Sequence, residues 1–180
     1  MKTYEEISRN DLRNLLDANW ITHDSMWLLN STKKYGMKEV NAINKLSVRM
    51  MAVIETKRLK KVMEAENPKS FEELKMFLLT AFEIIRGNFM KFELNFQEPE
   101  TITWNVPQCF AYDGVTRIGV IDDYDCGIVE RIMGWFEELG VSYKIHPSFT
   151  GCLMHKTGKC AIRFEVNFSL GSEKHSPNDD

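Results

Sequence analysis

The segment Trp20-Ile-Thr-His-Asp-Ser-Met-Trp27 combines aromatic and titratable side chains at helical spacing. His23 follows Trp20 by three residues and precedes Trp27 by four, and Asp24 follows Trp20 by four, so all four can share one helix face. Burial between indoles disfavours the charged form of histidine, whereas a neighbouring carboxylate favours it. The pattern fits a proton relay, a metal ligand or a ligand-orienting group. The alternative is a buried, hydrogen-bonded histidine, with Asp24 paired to a cation for which Arg49 is the natural candidate.

A second group of candidate ligands lies near the C-terminal end of the chain. Cys152, His155 and Cys160 have C-x2-H-x4-C spacing, which suits zinc or another thiophilic metal if a fourth ligand joins them. If a metal is present, we expect it at a hairpin over residues 152–160, with His155 folded over the two thiols. The preferred fourth ligand is Cys109. Cys126 and His146 are the other two possible donors. The alternative is that both cysteines are small buried apolar residues flanking an ordinary turn.

Cys126 is a third candidate, as a nucleophile. It follows the acidic run Asp122-Asp-Tyr-Asp125 and precedes a predicted helix. With Asp125 as N-cap, Cys126 lies in the first turn, where the helix dipole lowers a thiol pKa. Helix capping by itself also explains an aspartate at position 125, without a catalytic role for Cys126.

Composition and the absence of several motifs limit the classes of function that the chain can have. The 180 residues carry a net charge of −3, with both signs interspersed, which argues against nucleic-acid partners. The sequence has no stretch that reads as a membrane span and no signal peptide, so we expect a cytoplasmic protein with four reduced cysteines. Phosphate-binding, dinucleotide-binding, serine-hydrolase and zinc-protease motifs are absent.

Hydrophobic periodicity and capping residues predict the elements that position these side chains. Ser8 and Ser70 begin capping boxes, Gly36 separates two long antiparallel helices, and Asn67-Pro68 ends the second. The predicted helices cover residues 9–35, 37–65, 71–86 and 127–139. Alternating residues predict strands at 90–96, 101–106, 141–146 and 160–170. For residues 108–125 the pattern does not distinguish a short helix from irregular structure.

These elements predict an α+β fold in which three N-terminal helices cover one face of a four-stranded, mostly antiparallel sheet with one further helix. We expect a single domain over residues 1–171, with its helical part at 8–87 and its sheet part at 88–171. Residues 172–180 form a polar tail that is predicted to be disordered.

Several segments together resemble a known group of proteins. The chain is similar to a family of small uncharacterised cytosolic proteins, itself distantly similar to the L-2-amino-thiazoline-4-carboxylic acid hydrolase-like group. That family has a W-x-x-H-D-x-x-W helix and a cysteine-bearing C-terminal half. At 155–158, where the family pattern implies a cysteine and prolines, this chain has His-Lys-Thr-Gly. The resemblance rests on residues 18–27, 35–36, 55–61 and 160–164, and on Cys109, Cys126 and Cys152.

The sequence therefore predicts a module that binds a small ligand or a metal. Its pocket would lie between the helical hairpin and the sheet, with His23 and Asp24 largely buried and facing the C-terminal half. The residues expected to line it are Trp20, His23, Asp24, Trp27 and Trp104, with the 152–160 segment. Two alternatives remain: a hydrolase of a small amide or cyclic amidine that uses Cys126 or a bound metal, and an interaction protein that forms a homodimer through its helices.

Overall fold

The computed structural model describes residues 1–168 and confirms the α+β fold. Two short 3-10 helices lie at Tyr4–Glu6 and Ile121–Asp123. The remaining elements follow in the order α1 (Arg9–Tyr35), α2 (Met37–Met63), α3 (Phe71–Ile85), β1 (Lys91–Gln97), β2 (Thr101–Gln108), α4 (Phe110–Arg117), α5 (Gly127–Leu139), β3 (Ser142–His146), α6 (Leu153–Thr157) and β4 (Cys160–Asn167).

The helices begin where the capping residues predict. The Ser8 hydroxyl accepts a hydrogen bond from the Asp11 N–H at 3.0 Å, and the Ser70 hydroxyl accepts one from the Glu73 N–H at 3.3 Å. Gly36 has φ 81°, a conformation that glycine adopts without steric cost, so α1 and α2 are separated by one residue. The predicted helical hairpin is therefore confirmed.

The sheet has the order β1-β2-β4-β3, and every neighbouring pair is antiparallel. In each of the three longer strands, apolar side chains point to one face and polar side chains to the other. Ile102 lies opposite Phe164, and Trp104 lies opposite Ile162, so the apolar residues of β2 and β4 form one continuous surface.

Helices α3 and α5 supply the apolar residues that cover this surface. The Phe82 ring of α3 lies 5.6 Å from the Trp104 ring and 5.0 Å from the Trp135 ring of α5, measured between centroids. Phe136 of α5 contacts Phe164 of β4 with ring centroids 5.3 Å apart. Helices α3 and α5 therefore supply most of the helical part of the core that packs on one face of the sheet.

The three N-terminal helices contribute unequally to this core: α3 contributes most, α2 adds Ala52 and Leu59, and α1 contributes no buried residue. Helix α2 packs along α5 at Gly134, where an added Cβ would lie 2.7 Å from the Cβ of Ala52. Helix α1 has no buried residue in its 27 residues. An amphipathic pattern shows that a helix has an apolar face, but it does not show which layer that face contacts.

Two further segments differ from the sequence-based expectation. Residues 110–117, in the stretch left open, form α4. The predicted hairpin over residues 152–160 is instead α6 followed by the start of β4. The predicted tail, 172–180, lies outside the described residues, and the single-domain boundaries stay a prediction. None of the helices in the described part of the chain combines the length and apolar composition of a membrane span.

Candidate functional site

A cleft of about 380 Å³ opens between α1 and α2, and α4 and α5 form its floor. A volume of this size is in the range of small-molecule sites. The cleft contains all four residues of the predicted aromatic and titratable group on α1. The residues that line it are Trp20, Ile21, His23, Asp24, Trp27, Asn44, Ser47, Val48, Met51, Phe110, Ala111, Tyr124, Gly127, Ile128 and Arg131.

The two indoles form one wall of the cleft, with Trp20 46% and Trp27 41% exposed. His23 and Asp24 lie between them and are also exposed, so the prediction that they are largely buried is wrong. They do share the cleft with residues of the C-terminal half, including Phe110 and Ile128. No residue of α1 is fully buried, and its titratable residues His23 and Asp24 lie at the rim of the cleft.

Asp24 is a titratable group whose pKa the cleft perturbs. Partial desolvation raises the pKa of its carboxyl group, and the neighbouring His23 opposes that shift. The predicted cation for this carboxylate, Arg49, lies elsewhere: its guanidinium is 3.7 Å from the Glu130 carboxylate and 3.3 Å from that of Glu137. Both glutamates belong to α5, so Arg49 joins α2 to α5.

The floor of the cleft contains an ion pair that links α2 and α5. Arg131 donates from Nε to Glu55 Oε2 at 2.8 Å, and the Trp135 indole donates to the same oxygen at 2.9 Å. The Arg131 guanidinium also lies 5.9 Å from the centroid of the Trp20 ring. Sequence reasoning did not identify this pair because Glu55 and Arg131 are 76 positions apart, and Glu55 was noted only as part of the 55–61 segment.

The four cysteines line a separate, almost wholly apolar cavity of about 30 Å³. Three of them precede helices as N-cap residues: Cys109 before α4, Cys126 before α5 and Cys152 before α6, whereas Cys160 begins β4. All four are free thiols, as predicted. We call this space the thiol cavity.

Burial controls the acidity of these thiols. Desolvation raises the pKa of Cys126 to about 12 and that of Cys160 to about 11, and it also raises the pKa of Cys109. Hydrogen bonds from the first turn of α5 lower the pKa of Cys126, but burial outweighs them. The prediction that a helix N-terminus gives Cys126 an acidic thiol is therefore wrong.

Asp125 does not cap α5, which corrects a further expectation. Its carboxylate lies 2.7 Å from Lys45 Nζ and accepts a hydrogen bond from the Gly151 N–H at 3.0 Å. Its own N–H donates to the buried Asn41 side chain of α2 at 3.0 Å. Asp125 thus fixes the loop before α5 to both α2 and the segment before α6.

The predicted metal ligands do not all lie together. Cys109, Cys152 and Cys160 share the thiol cavity, but His155 Nε2 lies 2.9 Å from Asp122 Oδ1 at the surface. Helix α6 replaces the turn that was expected to fold His155 over the thiols. Within residues 1–168, no three His, Cys, Asp or Glu side chains are arranged to hold a metal ion.

The predicted single pocket between the hairpin and the sheet corresponds to two neighbouring spaces. Ala111, Tyr124 and Ile128 line both the cleft and the thiol cavity, so they form the wall between them. Trp104 was expected beside Trp20 and Trp27, but it lines the thiol cavity and is only 6% exposed. Within the described chain its indole N–H has no hydrogen-bond partner.

Comparison with known proteins identifies a family without a known activity. No curated protein and no solved structure matches the chain. The distant similarity to the thiazoline-carboxylic acid hydrolase-like group is not shown and stays a prediction. The model of a family of unknown function (DUF6125) matches residues 5–148, which include the whole cleft together with Cys109 and Cys126. Because that match covers most of the chain, the protein belongs to this uncharacterised family.

Proposed function

We propose that the protein binds a small organic ligand in the cleft, and that this ligand has a flat apolar body and a positively charged amine. The observation that carries the proposal is the position of the Asp24 carboxylate between two half-exposed indoles in the cleft, where partial desolvation raises its pKa. The indole faces would contact the apolar body, and the carboxylate would accept hydrogen bonds from the amine.

The charges around the cleft favour a cation over an anion. The Arg131 guanidinium is neutralised by Glu55, whereas no described lysine or arginine forms an ion pair with Asp24. An amine near Trp20 and Trp27 would also gain cation–π attraction, which contributes about 0.5–2 kcal/mol. Binding of a cation would return the raised pKa of Asp24 toward its ordinary value.

The test compares two probes of the same shape and opposite charge. Tryptamine carries an amine and indole-3-acetate a carboxylate, so binding followed by calorimetry should detect tryptamine and give a much weaker signal with indole-3-acetate. Asp24→Asn should weaken tryptamine binding about tenfold, a loss of about 1.4 kcal/mol. Asp122→Asn is the matched control, because this carboxylate lies outside the cleft beside His155. Equal binding of both probes, or no effect of Asp24→Asn, would contradict the proposal.

The thiol cavity supports a second candidate function, the binding of a thiophilic metal such as zinc. The supporting observation is that four cysteines line one cavity, although their side chains would have to rotate to converge on an ion. Its donors would be cysteines alone, without His155. Elemental analysis of purified protein should then find close to one metal per chain, and less in a Cys109→Ser/Cys152→Ser variant. Absence of metal after reconstitution would exclude this function.

The hydrolase alternative has less support. A nucleophilic cysteine needs a substantial thiolate fraction near neutral pH, and the pKa of Cys126, raised to about 12, leaves almost none.

A cytoplasmic location stays a prediction.

A further inference from the structure

Beside the cleft, the two long helices expose apolar side chains on their outer side. On α2, Ile43, Leu46, Met50 and Ile54 recur at spacings of three and four residues, so they form one stripe. This stripe is adjacent to the cleft wall and turned further from the core. On α1, Leu15, Leu16 and Met26 are exposed in the same way. We call these seven residues the outer face.

The size of the outer face matches what a stable protein interface needs. Its residues are 45–68% exposed. Together with Trp20 and Trp27, and at about 200 Å² per large side chain, they expose roughly 900 Å² of apolar surface. A standard interface buries about 800 Å² on each partner, and monomeric proteins rarely expose apolar patches much larger than a few hundred Å².

Charges at the two ends of the α2 stripe indicate which binding partner fits the outer face. Glu39 precedes Ile43 by four residues, and Lys57 follows Ile54 by three, so the stripe has an acidic end and a basic end. The Lys57 ammonium lies 3.7 Å from the Glu138 carboxylate of its own chain but keeps 61% of its side chain exposed, so a partner's carboxylate can also reach it. Two such helices placed antiparallel about a two-fold axis would match Glu39 with the partner's Lys57. In the same register Leu46 would lie opposite the partner's Met50.

We propose that a second copy of this chain covers the outer face in a two-fold symmetric dimer, with the two α2 helices antiparallel. The partner would then pack over the mouth of the cleft and cover Trp20 and Trp27 in part. This proposal rests on the exposed apolar surface and its charge pattern, not on the proposed ligand. A dimer that does not bind tryptamine would contradict only the proposed function.

Sedimentation equilibrium of the full chain tests the dimer. At 1–100 µM we expect a species of twice the 21.0 kDa chain mass. Leu46→Glu/Met50→Glu should weaken association at least a hundredfold, because it places like charges opposite one another at the centre of the interface. Met76→Glu is the matched control, since Met76 is 69% exposed on α3, which does not line the cleft. A monomer at 100 µM, or dissociation by Met76→Glu to the same degree, would overturn the proposal.

A charge exchange tests the antiparallel arrangement separately from the apolar contact. Glu39→Lys and Lys57→Glu should each weaken the dimer about fivefold, and the double variant should recover the original affinity. Both side chains are exposed, so neither change should prevent folding. Because Lys57→Glu also places a carboxylate beside Glu138 of the same chain, urea denaturation of each variant separates a loss of folding stability from a loss of association. If each single variant weakens the dimer and the double variant weakens it further, the two α2 helices are not paired antiparallel.

Discussion

At the scale of single residues, Asp24 shows how the cleft can favour a ligand at a cost in stability. Partial burial raises the pKa of its carboxyl group, so the folded protein binds this proton more tightly than the unfolded chain does. The stabilising contribution is therefore present below the unfolded pKa, near 3.9, and is lost as pH rises through the folded value. At neutral pH the ionised Asp24 opposes folding.

Asp24→Asn should therefore raise the free energy of unfolding at pH 7. Because Asp24 is solvent-exposed, screening should keep the gain below about 1 kcal/mol. Urea denaturation at pH 7 and pH 3 measures it, and the advantage of the variant should vanish at pH 3. A less stable variant at pH 7 would show that Asp24 has a stabilising partner. A variant that is more stable yet binds tryptamine weakly would assign Asp24 to binding.

The second prediction concerns Cys126, whose burial should make the stability of the protein depend on pH. Its pKa of about 12 in the folded state exceeds the unfolded value near 8.5–9, so its stabilising contribution is complete below pH 8.5 and is lost as pH rises toward 12. Above pH 9, Cys126→Ala should lose stability with rising pH less steeply than the unchanged chain. Urea denaturation between pH 8 and pH 10.5 measures the two slopes. Equal slopes would show that this thiol ionises normally.

At the scale of elements, local sequence signals determined the helices and strands well. Arg9–Tyr35 and Gly127–Leu139 were predicted with the observed limits, because capping residues and glycines mark their ends. Helix α6 was missed because a five-residue helix has too little periodicity to distinguish it from a turn. The role of Asp125 was also mistaken, since its partners Lys45 and Gly151 are distant in sequence.

The contact between α2 and α5 depends on the absence of a side chain at Gly134. Gly134→Ala should destabilise the protein by about 1–3 kcal/mol, because the new methyl group would meet Ala52 and the Arg49 carbonyl. Gly114→Ala is the matched control: this glycine is also helical, and an added Cβ has nothing within 4 Å. The control should be neutral or gain up to about 1 kcal/mol from helix propensity. Chemical denaturation measures both variants, and similar effects would exclude a steric role for Gly134.

At the scale of the whole molecule, the site could be predicted only in part. The sequence placed Trp20, His23, Asp24 and Trp27 on one helix face, and the structure brings all four to the cleft. It could not show how far α1 separates from α2, because that geometry depends on contacts distant in sequence. One example is Arg13, which donates to the Ile84 and Arg86 carbonyls at 2.8 and 2.9 Å. The pairing of Glu55 with Arg131 is hidden for the same reason.

The layered arrangement predicts unequal stability across the molecule. No residue of α1 is fully buried, whereas α5 buries seven residues, among them Trp135 and Phe136. Amides open most readily where few apolar contacts must be broken. In the Leu46→Glu/Met50→Glu variant, which should be monomeric, we expect α1 amides to exchange with deuterium at least a hundredfold faster than those of α5.

Hydrogen exchange with mass spectrometry, at equal concentrations of the variant and the unchanged chain, measures this difference. In the unchanged chain a partner would cover the outer face, so α1 and α2 should exchange more slowly than in the variant. Exchange in α5 should be similar in both, because its buried residues lie in the core of one chain. Equal protection of α1 and α5 in the variant would show that the contacts of α1 within its own chain, such as those of Arg13 and of Trp20 with Arg131, are enough to protect it. Slow exchange of α1 only in the unchanged chain would instead mean that α1 is stabilised chiefly by the second copy.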